Sequence, residues 1–298
     1  MINCESLVKI YEAGGHKVVA LEGLDLHIKE GEMMAIIGKS GSGKSTLLNI
    51  IGGLDTPTAG VFRLAGKELS ALTDKQLTAY RKSTLGFVWQ NSAKNLFSYM
   101  TAEDNIKAVM CFNNIKREEQ KERARKLLQM VGMQKHADKF PAQLSGGEQQ
   151  RIAIAVALAN NPKILLADEP TGAVDSRTAG EIMALFRHLN ETLNLTVLIV
   201  THDMALADSV SRVVMISDGK VSTEKLKRKI AAAGFGEETA ESHEEFAVMD
   251  RANRLQLKEE FLDAAGIHSN KVKVEVNDGK IIITKSPFQG QVTEANRR

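Results

Sequence analysis

A glycine-rich segment at residues 38–46 constrains the fold of this chain more than any other feature. It reads G-K-S-G-S-G-K-S-T, follows a short apolar run at residues 33–37 and precedes an apolar-periodic stretch at residues 44–51. That order predicts a strand, a loop and a helix, which is the context in which the pattern G-x-x-x-x-G-K-[ST] binds phosphate. Glycines let backbone N–H groups turn toward a phosphate, and the helix dipole favours an anion. The segment predicts a nucleotide phosphate-binding loop; the alternative is a glycine-rich turn that binds nothing.

Two side chains of this loop have individual roles in the prediction. The Lys44 ammonium reaches the β- and γ-phosphate oxygens, and the Ser45 hydroxyl is a ligand of Mg²⁺. The other residues of the loop surround the phosphates, and they are Gly38, Lys39, Ser40, Gly41, Ser42, Gly43 and Thr46.

A pair of acidic residues follows a second apolar strand. Residues 164–167 are Ile-Leu-Leu-Ala, and Asp168 and Glu169 come directly after them. A helical stretch and the apolar run at residues 196–200 complete a βαβ pattern, which predicts an α/β fold with a parallel sheet. Ligands bind at the carboxyl ends of such strands, so Asp168 is placed to orient the Mg²⁺ shell and Glu169 to accept a proton from water. The alternative is a strand that ends in a solvated acidic turn.

Composition excludes several classes of protein. The 298 residues include 39 basic and 37 acidic side chains, a balance that argues against wrapping nucleic acid over the whole chain. The only cysteines, Cys4 and Cys111, give no disulfide framework and indicate a reducing compartment. No apolar run is long enough to cross a bilayer, and no signal peptide is visible. We therefore expect a cytoplasmic protein that reaches a membrane only through a partner.

A second anion site is predicted at residues 144–151, which read L-S-G-G-E-Q-Q-R and open a helix. Ser145 and the two glycines after it lie at the helix N-terminus, where backbone N–H groups and the dipole favour an anion. The chain has one phosphate-binding loop and a second phosphate site. This combination indicates a nucleotide held between two subunits.

These pieces together resemble the nucleotide-binding subunit of an ABC ATPase, over residues 1 to about 222. The resemblance implies an α/β P-loop NTPase cassette with a RecA-like core, an antiparallel β subdomain and a helical subdomain. It also implies ATP and Mg²⁺ as cofactors. The matching pieces are Tyr11, the loop at residues 38–46, Trp89 and Gln90, residues 144–151, Asp168 and Glu169, residues 172–175 and residues 201–203.

The resemblance assigns further roles within one subunit. Tyr11 would stack on adenine, although a plain strand aromatic is the alternative. Gln90 would sense Mg²⁺ and the attacking water while it touches the membrane partner. His202 would clamp the γ-phosphate and hold Glu169, whereas an isolated histidine is more often structural. The implied catalytic set is Glu169, His202, Lys44 and Gln90, and the implied metal ligands are Ser45, Gln90 and Asp168.

Other roles act across the dimer. Ser145 and Gly147 would bind the γ-phosphate of the ATP held by the other subunit, and Gln149 belongs to the same nucleotide-binding segment. Asp175 would bridge the two subunits. Hydrolysis is expected in both sites of a homodimer, because Glu169 is present.

The branch of the family is indicated by the spacing between the phosphate loop and residue 144 and by the sequence of one segment between them. The 106 positions from Gly38 to Leu144 hold a helical subdomain but no coiled-coil arm, which disfavours chromosome-maintenance ATPases. Residues 95–106 resemble the segment by which the lipoprotein-release, macrolide-export and antimicrobial-peptide branch grips its permease. They depart from it at Ser98-Tyr99-Met100, where proline and leucine are commoner. Leu96, Phe97, Tyr99 and Met100 would form an exposed apolar loop for a partner helix, unless the loop packs on itself.

The remaining residues predict a second, small domain. Residues 223–244 read as a linker with a short basic helix at 225–233, and residues 289–298 as a flexible tail. The pattern of residues 245–288 predicts a strand pair, a helix near Lys258–Ala265 and a hairpin around Asn277–Gly279. This unit resembles an AbrB-type swapped-hairpin domain. So short a unit favours completion of its core by dimerisation. From residue 221 onward the chain carries 13 basic and 13 acidic residues, a balance that disfavours DNA binding.

Two functions remain open at this point. The first is an ATP-hydrolysing homodimer that drives a separate transmembrane permease, peripheral on the inner face of the membrane. The second is a non-transport ATPase that acts as a regulatory or DNA-linked switch through its C-terminal domain.

Overall fold

The computed structural model describes residues 1–90, 95–113, 115–229, 241–251, 253–268 and 272–285. The chain divides into two compact units, Met1–Phe246 and Ala247–Arg298. No helix within the described ranges combines the length and apolarity needed to cross a bilayer.

The first unit contains two sheets. One is antiparallel, with strand order β2-β1-β4-β5, and the other has seven strands in the order β11-β10-β9-β3-β8-β7-β6. The strands are β1 Ile2–Ala13, β2 His16–Ile28, β3 Met33–Ile37, β4 Ala59–Leu64, β5 Lys67–Glu68, β6 Leu85–Val88, β7 Ile164–Asp168, β8 Thr196–Val200, β9 Arg212–Ser217, β10 Lys220–Lys229 and β11 Glu241–Ala247.

Helices cover the larger sheet and build a helical subdomain. They are α1 Lys44–Ile51, α2 Asp74–Thr84, α3 Ala102–Cys111, α4 Arg117–Met130, α5 Gly146–Ala157, α6 Ser176–Leu193 and α7 Met204–Ala207. Strands β9, β3, β8, β7 and β6 pair in parallel, as the βαβ pattern predicts. All residues of β3 and β8 are buried, which is typical of parallel strands covered on both faces. The predicted α/β P-loop cassette is confirmed in these features.

Strand β3 divides its side chains between two cores. Met33, Ala35 and Ile37 pack with the helices α3 to α6. Met34 and Ile36 pack with α1 and the antiparallel sheet on the opposite face. The register of β3 is therefore fixed from both sides.

The predicted linker is wrong at its start, because β10 continues to Lys229. Thr223 pairs with Met215, and Leu226 pairs with Arg212. A polar contact joins this strand to β9: Arg212 Nε donates to Glu224 Oε1 at 2.7 Å, and Arg212 Nη1 also donates to Glu32 Oε1, just before β3, at 2.9 Å. A strand that carries charged side chains in such contacts lacks the apolar alternation that marks a strand in the sequence. The first five residues of the expected basic helix at 225–233 are therefore strand, and the rest lie outside the described residues.

The second unit contains a helix and a hairpin, near their predicted positions. They are α8 Glu259–Ala264, β12 Val272–Asn277 and β13 Lys280–Lys285. Asp278 and Gly279 both have positive φ, at 49° and 72°, as a two-residue hairpin turn requires. In place of the expected strand pair, the structure has one bridge between Met249 and Leu255.

Gly86 in β6 lets helix α5 lie close to the sheet. A Cβ at this position would be 2.5 Å from the Ala157 carbonyl oxygen, which is backbone and cannot turn aside. We expect Gly86→Ala to lower the free energy of unfolding by about 1–3 kcal/mol, the cost of overpacking. Urea unfolding followed by circular dichroism measures it.

Gly180 on α6 is the matched control, because a Cβ there meets nothing within 4 Å. Gly180→Ala should raise the free energy of unfolding by about 0.4–1 kcal/mol. Equal effects of the two substitutions would contradict the packing argument.

Candidate nucleotide-binding site

The phosphate-binding loop connects β3 to α1 and needs glycine at defined positions. A Cβ at Gly38 would lie 2.2 Å from the Ile216 carbonyl oxygen, so only glycine allows the loop to approach β9 this closely. Gly43, with φ of +101°, precedes α1, and a Cβ there would lie 2.4 Å from the Ala20 carbonyl oxygen. The loop is therefore fixed against β9 and β2.

Lys44 closes the loop from inside. Its Nζ donates to the carbonyl oxygens of Gly38 and Lys39, both at 2.8 Å. Burial lowers the pKa of this ammonium, while the charges of Glu169 and Asp168 act in the opposite direction. The cation thus lies within the loop, in the field of both carboxylates.

A cleft of about 410 Å³ brings together most of the residues predicted for one subunit. Tyr11, Lys39 and Ser42 do not line this cleft, and the last two line a neighbouring hollow that shares Gly38 and His202 with it. The predicted residues that line the cleft are Gly38, Ser40, Gly41, Gly43, Lys44, Ser45, Thr46, Gln90, Asp168, Glu169 and His202.

Glu169 is held in place by backbone and side-chain contacts. Its N–H donates to the Val200 carbonyl at 2.8 Å, and its Oε2 lies 2.9 Å from His202 Nδ1. Its φ is +46°, a left-handed conformation that costs about 1–3 kcal/mol in a residue other than glycine. The Glu169 side chain is 14% exposed and His202 is 72% exposed. The base candidate is therefore sheltered, and its imidazole partner faces outward.

Three of the residues that line the cleft carry oxygen donors for a hard cation. They are the Ser45 hydroxyl, the Asp168 carboxylate and the Gln90 amide. The described residues hold no cluster of three His, Cys, Asp or Glu side chains suited to a metal. This donor set fits Mg²⁺, which takes few protein ligands and keeps phosphate and water oxygens.

Residues of β2 line the cleft and were not predicted. They are Val18, Val19 and Ala20, and the first two are more than half exposed. Val18 pairs directly with Tyr11 across the strands, and Tyr11 is 37% exposed. Two valines near the start of an otherwise amphipathic strand are the signal that could have identified this apolar side of the cleft.

The segment at residues 144–151 begins helix α5 through a reciprocal cap. Ser145 N donates to Glu148 Oε2 at 2.8 Å, and Glu148 N donates to Ser145 Oγ at 3.3 Å. The spacing S-x-x-E could have predicted this role for Glu148. A Cβ at Gly147 would lie 2.4 Å from Thr178 Cγ2, so glycine is needed where α5 meets the start of α6.

Gln149 makes hydrogen bonds to the loop that precedes α5. Its Nε2 donates to the carbonyl oxygens of Pro141 at 3.0 Å and Leu144 at 3.1 Å. Asp175 caps α6 by accepting from Thr178 N and Thr178 Oγ1, and these hydrogen bonds lower the pKa of its carboxyl. Both residues shape helix starts here.

The segment at residues 144–151, which we call the signature segment, does not line the cleft of its own chain, and neither does Asp175. Ser145, Gly147, Gln149 and Asp175 are absent from the residues that line it. One chain therefore presents the phosphate loop and the acidic pair in one place and the predicted second anion site in another.

Comparison with known proteins identifies the family. The family model described as "ABC transporter" matches residues 21–172. A macrolide export ATP-binding/permease protein MacB from Rhodopirellula baltica is 47% identical over 230 residues, covering 76% of this chain and 33% of MacB. An uncharacterized ABC transporter ATP-binding protein from Thermotoga maritima is 46% identical over 213 residues, covering 72% and 90%. The chain spans about a third of the length of the MacB relatives it matches.

Solved structures agree in fold. The ATP-binding cassette MJ0796, as a dimer in a post-hydrolysis state with ADP and Pi, is 43% identical with a TM-score of 0.69 and covers 76% of this chain and 98% of its own. CbiO1 from Clostridium perfringens is 30% identical, also with a TM-score of 0.69, and covers 75% and 87%. The chain belongs to the ABC transporter family and carries its ATP-hydrolysing cassette.

Proposed function

We propose that two copies of this chain enclose ATP and drive a separate membrane permease. The observation that carries the proposal is the division of the site: Lys44, Glu169 and His202 share one cleft, and Ser145 and Gly147 lie outside it. A second copy placed head to tail would bring its own Ser145 to the γ-phosphate. The dimer described for MJ0796 with ADP and Pi supports this arrangement.

The phosphate loop and the charged and polar side chains of the cleft then have defined tasks in hydrolysis. Backbone N–H groups of the loop and Lys44 bind the β- and γ-phosphates. Glu169 Oε2 takes a proton from the attacking water, whose oxygen forms the new bond to the γ-phosphorus as the bond to the β-phosphate bridging oxygen breaks. His202 orients the carboxylate and contacts the γ-phosphate. Mg²⁺, held by Ser45 and Asp168 with Gln90 nearby, would neutralise developing charge.

Tyr11 is assigned to the base of the nucleotide. Its partly exposed ring lies beside the exposed valines of β2, at the edge of the phosphate loop. The aromatic face and these apolar side chains suit stacking of a purine.

The loop that contains Phe97 and Tyr99 is held by hydrogen bonds within the chain, so it is ordered for contact with a permease. Phe97 and Tyr99 are 46% and 71% exposed, with ring centroids 5.8 Å apart. Asn105 is buried and fixes the loop: its amide donates to the Phe97, Met100 and Thr101 carbonyls, and its Oδ1 accepts from Phe97 N at 2.7 Å. Leu96 is buried, contrary to our expectation of an exposed side chain. Its side chain anchors the loop, while the two aromatic rings remain outside.

A groove beside this loop offers further apolar surface. It has a volume of about 580 Å³, with the stacked rings of Phe87 and Trp89 and the exposed Phe112 in its lining. An amphipathic helix of a permease fits such a groove. Contact here would place the cassette on the inner face of the membrane, with Gln90 close to the contact.

The C-terminal unit would hold two cassettes together. The comparisons do not support the AbrB-type resemblance, which stays a prediction. The hairpin nevertheless exposes Val274, Val276 and Ile281 on one face, and an isolated two-stranded hairpin is marginal in water. Self-association would raise the effective concentration of the cassettes to about millimolar. The transporter relatives favour a subunit that drives transport over a regulatory or DNA-linked switch.

Replacing the proposed base tests the hydrolytic mechanism. Glu169→Gln keeps the shape of the side chain but removes proton acceptance, so turnover should fall at least about 10²-fold while ATP binding persists. Phosphate release and ATP titration measure the two properties. Unchanged turnover would remove Glu169 from the base role, and loss of ATP binding would show a damaged cleft.

The permease contact is tested with the exposed aromatic pair. We expect Phe97→Ser with Tyr99→Ser to leave basal ATP hydrolysis unchanged and to abolish recovery of a membrane partner. The measurement is purification from native membranes in the presence of ATP, with Glu169→Gln to hold the closed state. Leu193→Ser, which replaces an exposed apolar side chain of α6 outside the lining of the groove, is the control that should keep the partner. Full recovery with the aromatic pair removed would contradict the assignment.

A further inference from the structure

The ring of Tyr11 is fixed by two side chains that have no part in the mechanism above. The Tyr11 hydroxyl donates to Asp55 Oδ2 at 2.7 Å, and Lys9 Nζ lies 4.9 Å from the centre of the ring. Lys9 Nζ also donates to Asp55 Oδ1 at 2.6 Å and to the Thr56 carbonyl at 2.8 Å. Cation, carboxylate and phenol thus form a closed group, which we call the Tyr11 cluster: Lys9, Tyr11 and Asp55.

Burial and charge make this cluster stable at neutral pH. The Lys9 and Asp55 side chains are only 12% and 26% exposed, so solvent screens their pairing weakly. Burial opposes ionisation of Asp55, but hydrogen bonds from Lys9, Tyr11 and the Thr56 backbone outweigh it and lower the pKa of the carboxyl. Burial, and next the bond to Asp55, raise the pKa of Tyr11. The phenol therefore remains a donor and the carboxylate an acceptor.

The cluster connects the ring to the phosphate loop. Lys9 and Tyr11 lie on β1, whereas Asp55 lies in the turn after α1, the helix that begins with the loop residue Lys44. That turn is fixed to α1 because the N–H groups of Leu54 and Asp55 both donate to the Asn49 carbonyl. The Thr46 side chain, in the first turn of α1, also interacts with the Tyr11 hydroxyl. The position of the ring is set relative to the place where phosphates bind.

We propose that Asp55 and Lys9 are positioning residues that hold the Tyr11 ring ready for the nucleotide base. The inference rests on the proposed function, which assigns the base to Tyr11. A side chain that is ordered before binding loses no rotamer freedom when the ligand arrives. The cluster therefore adds to the affinity for the base and leaves the affinity for the phosphates unchanged.

Two ligands separate these contributions: ADP, which carries the base, and inorganic tripolyphosphate, which does not. Their affinities for the full chain are measured by titration calorimetry. Asp55→Asn and Tyr11→Phe should each weaken ADP binding by about three- to tenfold, the size of one lost hydrogen bond. Tripolyphosphate affinity should not change. The double variant should bind ADP no more weakly than Tyr11→Phe alone, because Asp55 acts on the ring through the hydroxyl that this substitution removes.

Glu12→Gln is the matched control, since it makes the same carboxyl-to-amide change on β1. The Glu12 carboxylate pairs with Lys17 at 3.3 Å on the exposed surface. This variant should bind both ligands normally.

Two results would overturn the inference: equal losses of ADP and tripolyphosphate affinity, or unchanged ADP affinity in Asp55→Asn and Tyr11→Phe. Tyr11→Ala shows whether only the positioning role fails or the assignment of the base to Tyr11 fails as well. If Tyr11→Ala alone weakens ADP binding, the ring binds the base but needs no positioning. If Tyr11→Ala also binds ADP normally, the assignment of the base to Tyr11 fails, and the positioning role fails with it.

Discussion

The division of β3 between two cores is the constraint on which the nucleotide site depends. Alternate residues of this strand pack against helices on one face and against α1 and the antiparallel sheet on the other. A slip of one residue would exchange the two sets of side chains, so both cores resist it. The fixed register brings Gly38 against the Ile216 carbonyl, where no Cβ fits. The path of the phosphate loop, and the place of Lys44 inside it, therefore follow from packing that lies outside the site.

Neighbouring strand ends supply the acidic and imidazole groups. Asp168 pairs with Val200 in the parallel ladder between β7 and β8, so Glu169 and His202 leave the same edge of the sheet within reach of each other. The left-handed backbone at Glu169 is strained, and the sheet holds it through the bond from Glu169 N to the Val200 carbonyl. The rigid scaffold thus keeps a carboxylate sheltered and aimed into the cleft, with little freedom to reorganise.

Sequence predicted the parts of the site that are local in the chain. The phosphate loop and the acidic pair are contiguous motifs whose neighbours define their context, so their convergence followed from strand order. Contacts between residues that are distant in the sequence could not be predicted. Asp55 bonds Tyr11 across 44 positions, and no local pattern marks that pair. Strand β10 was missed because it carries charged side chains, among them Glu224 paired with Arg212 of β9, in place of the apolar alternation that reveals strands. Leu96 was misplaced because an apolar loop residue can anchor the loop as readily as it can meet a partner.

The central claim is that one chain's signature segment completes the other chain's cleft. Complementation tests it, with Lys44→Ala in one chain and Ser145→Asp in the other, both carrying Glu169→Gln to prevent turnover. Aspartate preserves the helix cap of α5 while its charge repels the γ-phosphate. Neither protein alone should retain ATP through gel filtration. Their mixture should retain it, because a mixed dimer has one site with Lys44 from one chain and Ser145 from the other. A mixture that retains no more ATP than the separate proteins would contradict the shared site.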